Sequence, residues 1–140
     1  MQLLKNACIF IILLLPTSLL SAANPPVELK PGMIITSSLQ VKRAIYQING
    51  YDSLNRPVIF IKGDNITVDF NNALLQGSID KQLPNSFYGL AILIRGNNIT
   101  LKNAKISGYK LAVMAEGCKN LTIENADFSY NYRQQLQSTW

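Results

Sequence analysis

Apolar and polar residues alternate over short stretches in the second half of this chain. In Ile66-Thr67-Val68, Ile99-Thr100-Leu101 and Leu121-Thr122-Ile123, two apolar residues flank one polar residue. A period of two predicts strands with one face buried. Beyond residue 23 no long amphipathic helical pattern occurs, and Gly and Asn punctuate the apolar runs. The pattern therefore predicts many short strands and sharp corners.

The strands belong to a repeat. Asn65-Ile66-Thr67-Val68-Asp69 is followed by Asn72-Ala73-Leu74-Leu75-Gln76-Gly77. Asn98-Ile99-Thr100-Leu101-Lys102 is followed by Asn103-Ala104-Lys105-Ile106-Ser107-Gly108. Asn120-Leu121-Thr122-Ile123-Glu124 is followed by Asn125-Ala126-Asp127-Phe128-Ser129-Tyr130. Between these units, Tyr88 to Gly96 matches Tyr109 to Gly117. The period is about 22 residues, and the longer first interval is expected to hold a loop near residues 79–87, where Pro84 and Asn85 favour a turn. A leucine-rich repeat has a similar length, but its Leu-x-x-Leu-x-Leu-x-x-Asn pattern is missing.

Stacking explains the residue choices. Equivalent residues of successive coils would lie about 4.8 Å apart. Ile66, Ile99 and Leu121 would stack inside, as would Val68, Leu101 and Ile123, leaving Thr67, Thr100 and Thr122 as an outer file. Asn65, Asn98 and Asn120 are expected at one corner, and Asn72, Asn103 and Asn125 at another. Asn tolerates the left-handed backbone of a corner, and its amide both donates and accepts along a ladder. Lys102 and Glu124 are equivalent, as are Lys105 and Asp127, so each pair sets opposite charges side by side.

The run 63–131 resembles the opening coils of the right-handed parallel β-helix (pectate-lyase-like) superfamily, and is similar to bacterial exported right-handed β-helix repeat proteins. The stretches Leu29 to Tyr46 and Asp127 to Gln134 share the likeness. The fold expected is all-β: a right-handed parallel β-helix with an N-terminal cap and about three coils, truncated at its C-terminus. Residues 24–62, which lack the repeat, are expected to form the irregular cap and first coil, and residues 63–140 the repeats proper. A last coil without a cover would leave open strand edges, which invite end-to-end self-association.

The first 23 residues change the picture of where the chain works. Lys5, the apolar run Ala7 to Leu15, the break at Pro16 and the small residues Ser21-Ala22-Ala23 form the layout of a signal peptide. The apolar run is shorter than the roughly 20 residues of a spanning helix. Cleavage after Ala23 would leave a secreted or periplasmic chain with no membrane segment. That mature chain holds 12 Lys and Arg against 8 Asp and Glu. The basic residues are scattered, which gives no footprint for nucleic acid.

Candidate chemistry is sparse. Histidine is absent and Cys118 is the lone cysteine after residue 23, which excludes a His/Cys zinc site and a Ser-His-Asp triad within the chain. Asp64 with Asp69, and Glu124 with Asp127, are close in sequence but fall on turn or stacking positions and read as structural. No acidic cluster offers the six to eight oxygens of a calcium site, and no cofactor motif occurs. Asn65, Asn98 and Asn120 each open an Asn-x-Thr acceptor, and their place on a ladder predicts that they stay unmodified. Tyr130, Asn131, Tyr132 and Arg133 form the most polar-aromatic patch, with Tyr88 and Tyr109 at a recurring position. Tyr rings stack on sugars and Arg forks match carboxylates.

What the resemblance implies is an exported protein that binds or processes polysaccharide, the parent being a polysaccharide lyase or glycoside hydrolase. These residues would hold no complete active site, catalytic residue or metal. The alternative is a non-enzymatic surface or periplasmic scaffold or adhesin.

Overall fold

The computed structural model describes residues 24–79 and 87–132. The expected signal peptide, most of the expected 79–87 loop and Arg133 lie outside the described residues. Eleven strands make up the described structure: β1 Met33–Ile35, β2 Leu39–Gln40, β3 Ile45–Gln47, β4 Ile59–Lys62, β5 Ile66–Asp69, β6 Leu74–Gln76, β7 Leu90–Arg95, β8 Asn97–Lys102, β9 Lys105–Ser107, β10 Leu111–Ala115 and β11 Lys119–Glu124. Among the described residues there is no helix.

The strands form three sheets, ordered β1-β4-β7-β10, β2-β5-β8-β11 and β3-β6-β9. Every pairing is parallel. The chain visits first, second and third sheet in constant rotation, so each circuit stacks on the one before. A parallel bridge from Lys105 to Asp127 carries the third sheet into a fourth circuit.

Register turns the repeat into files. Ile66 pairs with Ile99 and Ile99 with Leu121; Val68 pairs with Leu101 and Leu101 with Ile123. On the first sheet Ile35, Ile61 and Ile94 align, and on the third Tyr46, Leu75 and Ile106. Ile35, Ile61, Leu75, Ile94, Ile99, Leu101 and Ile106 are all at most 1% exposed. Full burial of such a side chain stabilises by about 1.5–3 kcal/mol, so the inward files hold the stack together. Phe70, Ala73 and Ala104 fill the corner between second and third sheets.

Residues 24–62 show no repeat in sequence, yet β1, β2 and β3 complete a circuit in register with β4, β5 and β6. Met33 pairs with Ile59, Leu39 with Val68 and Ile45 with Leu74. At the other end β10 and β11 are edge strands, and inward-facing Ile123 is 42% exposed.

The corners depend on left-handed residues. Asn65, Asn98 and Asn120 have φ of 57°, 53° and 56°, and Asn72, Asn103 and Asn125 of 59°, 53° and 48°. Asn is the L-residue that adopts this conformation most readily. The turn from first to second sheet also needs Gly63 and Gly96, whose φ are 139° and 131°. A Cβ on Gly96 would fall on the Gly63 carbonyl, so only glycine lets these backbones stack.

Candidate functional site

Inward burial decides which side chains are left for function. Leu75 and Ile106 point into the core, so Leu74, Gln76, Lys105 and Ser107 face outward on β6 and β9. With Asp127, Ser129 and Tyr130 of the next circuit, they line an open groove of about 260 Å³ on the outer face of the third sheet. Leu74 gives it an apolar group, Lys105 and Asp127 opposite charges, and Gln76, Ser107 and Ser129 neutral hydrogen-bonding groups. Tyr130, 64% exposed, adds an aromatic side chain to the lining.

The acid in this groove is held ionised. Asp127 Oδ1 accepts from Ser129 Oγ at 2.5 Å and from Ser129 N at 2.9 Å. These bonds, from side chain and backbone in turn, hold the Asp127 carboxyl below its usual range, and the charge of Lys105 adds to them. A general acid needs a raised pKa. Asp127 is therefore fitted to accept hydrogen bonds, not to protonate a leaving group.

The four sequence candidates separate. Tyr130 lines the groove. Asn131 spends its amide on the backbone: Nδ2 donates to Ile106 O at 2.7 Å and Phe128 O at 2.8 Å, and Oδ1 accepts from Tyr109 N at 3.1 Å. It is a corner brace. Tyr132 is 42% exposed and its N donates to Tyr109 O at 2.9 Å, but its ring is not part of the groove lining. Arg133 lies outside the described residues. Of the recurring tyrosines, Tyr88 is 48% exposed, whereas Tyr109 is fully buried with its hydroxyl donating to Ile48 O at 2.6 Å. Burial pushes the Tyr109 phenol well above its ordinary pKa.

The corner asparagines bond along the stack. Asn98 Nδ2 donates to Asn65 Oδ1 at 3.0 Å, and Asn120 Nδ2 to Asn98 Oδ1 at 2.8 Å. At the second corner Asn125 Nδ2 reaches Asn103 Oδ1 at 3.4 Å. Asn103, however, donates to Asp69 Oδ1 at 2.8 Å, not to Asn72. The reason is length. Asp69 pairs with Lys102 and Leu74 with Lys105, so the earlier corner carries two more residues, Phe70 and Asn71, and there Asp69 supplies the acceptor for Asn103. Asn72 keeps a backbone bond, its N donating to Asn103 O at 3.1 Å.

Asp64, Asp69 and Glu124, the other carboxylates singled out by the sequence, are engaged. Asp64 Oδ1 accepts from Asn97 N at 2.7 Å and Nδ2 at 3.0 Å. Burial of Asp69 favours its neutral form, but bonds from Asn103, Asn71 and Gln40, with the charge of Lys102, outweigh it and lower its pKa. Glu124 Oε2 lies 3.2 Å from Lys102 Nζ. Among the described residues no group of three or more Asp, Glu, Cys or His is placed to hold a metal ion.

Gln76, Ser107 and Ser129 escape sequence reasoning because they look like ordinary outward positions. The available signal was alternation around Leu75 and Ile106, combined with loss of the Thr pattern seen on the neighbouring sheet. No family model, curated protein or solved structure matches this chain.

Proposed function

We propose that this chain forms coils of a right-handed parallel β-helix in an exported protein, and that the groove on the third sheet binds polysaccharide without catalysis by these residues. The right hand follows from the strong preference of parallel strand crossovers for that sense. Export follows from the signal-peptide layout of residues 1–23. The pectate-lyase-like superfamily, whose opening coils the repeat resembles, fits both.

The observation that carries the binding role is the composition of the groove. It is an open groove lined by Leu74 and Tyr130 together with Gln76, Ser107, Ser129, Lys105 and Asp127. A sugar offers an apolar ring face and a rim of hydroxyls, and this surface offers an aromatic ring beside donors and acceptors. What supports the non-catalytic part of this reading is the lowered pKa of Asp127, which does not suit a general acid.

The test is affinity electrophoresis of the full chain through gels carrying different soluble polysaccharides. Retardation by at least one polymer, reduced in Tyr130→Ala, is expected. Equal mobility in every gel, or retardation indifferent to Tyr130→Ala and to Ser107→Trp, would overturn the groove as the binding surface.

A further inference from the structure

The two ends of the second sheet are finished differently. β2 is an end strand, but its outer edge is taken: Val27 N donates to Gln40 O and Lys42 N to Val27 O, each at 2.8 Å. Leu29 of the same segment is 5% exposed and joins the core. β11 is the opposite end strand, and no described strand lies beyond it. Its inward Ile123 is 42% exposed, whereas Val68 and Leu101 of the same file are 0% exposed.

Backbone geometry sorts the polar groups of β11. In a strand, the N–H and C=O of one residue point to one side and those of the next residue to the other. Asn103 N donates to Glu124 O at 2.9 Å, so Glu124 bonds toward β8, and Thr122 and Asn120 with it. Leu121 and Ile123 therefore turn their N–H and C=O groups to the open edge. Groups so placed are a template for a further strand.

We propose that this edge pairs with the same edge of a second copy of the chain. A two-fold axis at Thr122 sets the two β11 strands antiparallel and makes the two four-stranded sheets continuous. Leu121 of each copy then lies opposite Ile123 of the other, and each such pair exchanges both of its N–H···O=C bonds. Thr122 meets its own counterpart as the non-hydrogen-bonded pair between them. Register is demanding here, because inward residues must oppose inward residues. Centring on Thr122 gives both Leu121 and Ile123 an apolar partner, whereas centring on Leu121 would set Ile123 against Lys119. Charge favours the same arrangement. β11 begins with Lys119 and ends with Glu124, so antiparallel pairing brings each Lys119 beside the Glu124 of the other copy. Head-to-tail stacking would instead lay β11 on β2, whose edge Val27 already holds. The proposal is independent of what the groove binds.

The test is sedimentation velocity of the full chain across a wide concentration range, with reductant present. A dimer fraction that grows with concentration is expected. Ile123→Pro removes an N–H aimed at the second copy but no bond to β8, and an edge strand tolerates proline where its N–H faces outward. It should weaken dimerisation about tenfold or more. A cross-link checks the register independently. In a Cys118→Ser background, which leaves no other cysteine after residue 23, Thr122→Cys should be captured by oxidised glutathione as a disulfide-linked dimer. Its two Cα atoms would stand about 4.5 Å apart, within disulfide reach. Asn120→Cys should not cross-link, because its two copies would lie about 13 Å apart along the strands. A monomer at every concentration, as when residues 133–140 cover the edge themselves, would overturn the proposal. So would a dimer that reductant dissolves, a dimer indifferent to Ile123→Pro, or cross-linking at Asn120→Cys in place of Thr122→Cys.

Discussion

The second and third sheets share one core but present opposite kinds of outer surface. On the second, the outward files are Thr67, Thr100 and Thr122, and Gln40, Asp69, Lys102 and Glu124. Each member resembles or complements the next, and the charges are spent within the file: Gln40 on Asp69 and Lys102 on Glu124. On the third, the outward file runs Ile45, Leu74, Lys105 and Asp127, changing from apolar to basic to acidic. A face that repeats satisfies itself, whereas a face that breaks the repeat leaves mixed chemistry available to a ligand. In a stacked fold, the departures from the outward repeat are therefore the places to look for function.

This difference can be broken at its common support first. Gly96→Ala forces a methyl group onto the Gly63 carbonyl at a positive φ. Overpacking and backbone strain together should cost about 3 kcal/mol or more, lowering the thermal midpoint and disabling both faces at once. A midpoint unchanged within error would contradict the close stacking of the two glycines.

Next in size is the asparagine corner that serves the second sheet. Asn98→Ala removes the amide bonds to Asn65 and Asn120 and puts Ala in a left-handed conformation. A loss of about 2–3 kcal/mol in denaturant unfolding is expected. Asn98→Gly relieves the backbone part and should cost roughly half as much. If Gly proves as damaging as Ala, backbone conformation is not what Asn98 supplies.

Smaller again is the buried phenol. Tyr109→Phe leaves Ile48 O without its donor and should cost about 1–2 kcal/mol with no change in the groove. Unchanged stability would show that the hydroxyl bond is not formed.

The smallest effect separates the faces by pH. The pKa values of Asp69 and Asp127 are lowered in the folded chain. Their contributions are full above the unfolded carboxylate pKa of about 3.9 and disappear as pH falls through the lowered folded values. Asp69→Asn should flatten the acid limb of the stability curve more than Asp127→Asn, because Asp69 is braced by three residues and Asp127 by the exposed Ser129 alone. The opposite ranking would mean that the groove carries more of the stability than the corner.

The repeat was legible in sequence where identity was demanded at a corner. Asn65, Asn98 and Asn120 had to be left-handed, and their spacing exposed the period. The first circuit was legible as an irregular coil but not as a member of the repeat, because an inward position asks only for an apolar side chain: Met33 and Leu39 pair with Ile59 and Val68 without repeating their surroundings. The role of Asp69 was hidden by Phe70 and Asn71, which lengthen one corner and substitute a carboxylate for the expected amide. The groove was half legible. Lys105 and Asp127 stood out as a charge pair, and Tyr130 as an aromatic neighbour. Gln76 and Ser107 gain meaning only when register lays them side by side.

The most direct measurement uses matched obstacles on the two faces. Trp is placed on the third sheet by Ser107→Trp and on the second by Thr100→Trp, and the affinity of each full-length variant is measured for the polysaccharide that retards the parent chain. Both positions are half-buried and outward-facing on strands. The account predicts that Ser107→Trp abolishes binding while Thr100→Trp leaves it within about twofold, the scale of a neutral surface change. Equal losses from both, or a loss confined to Thr100→Trp, would contradict it.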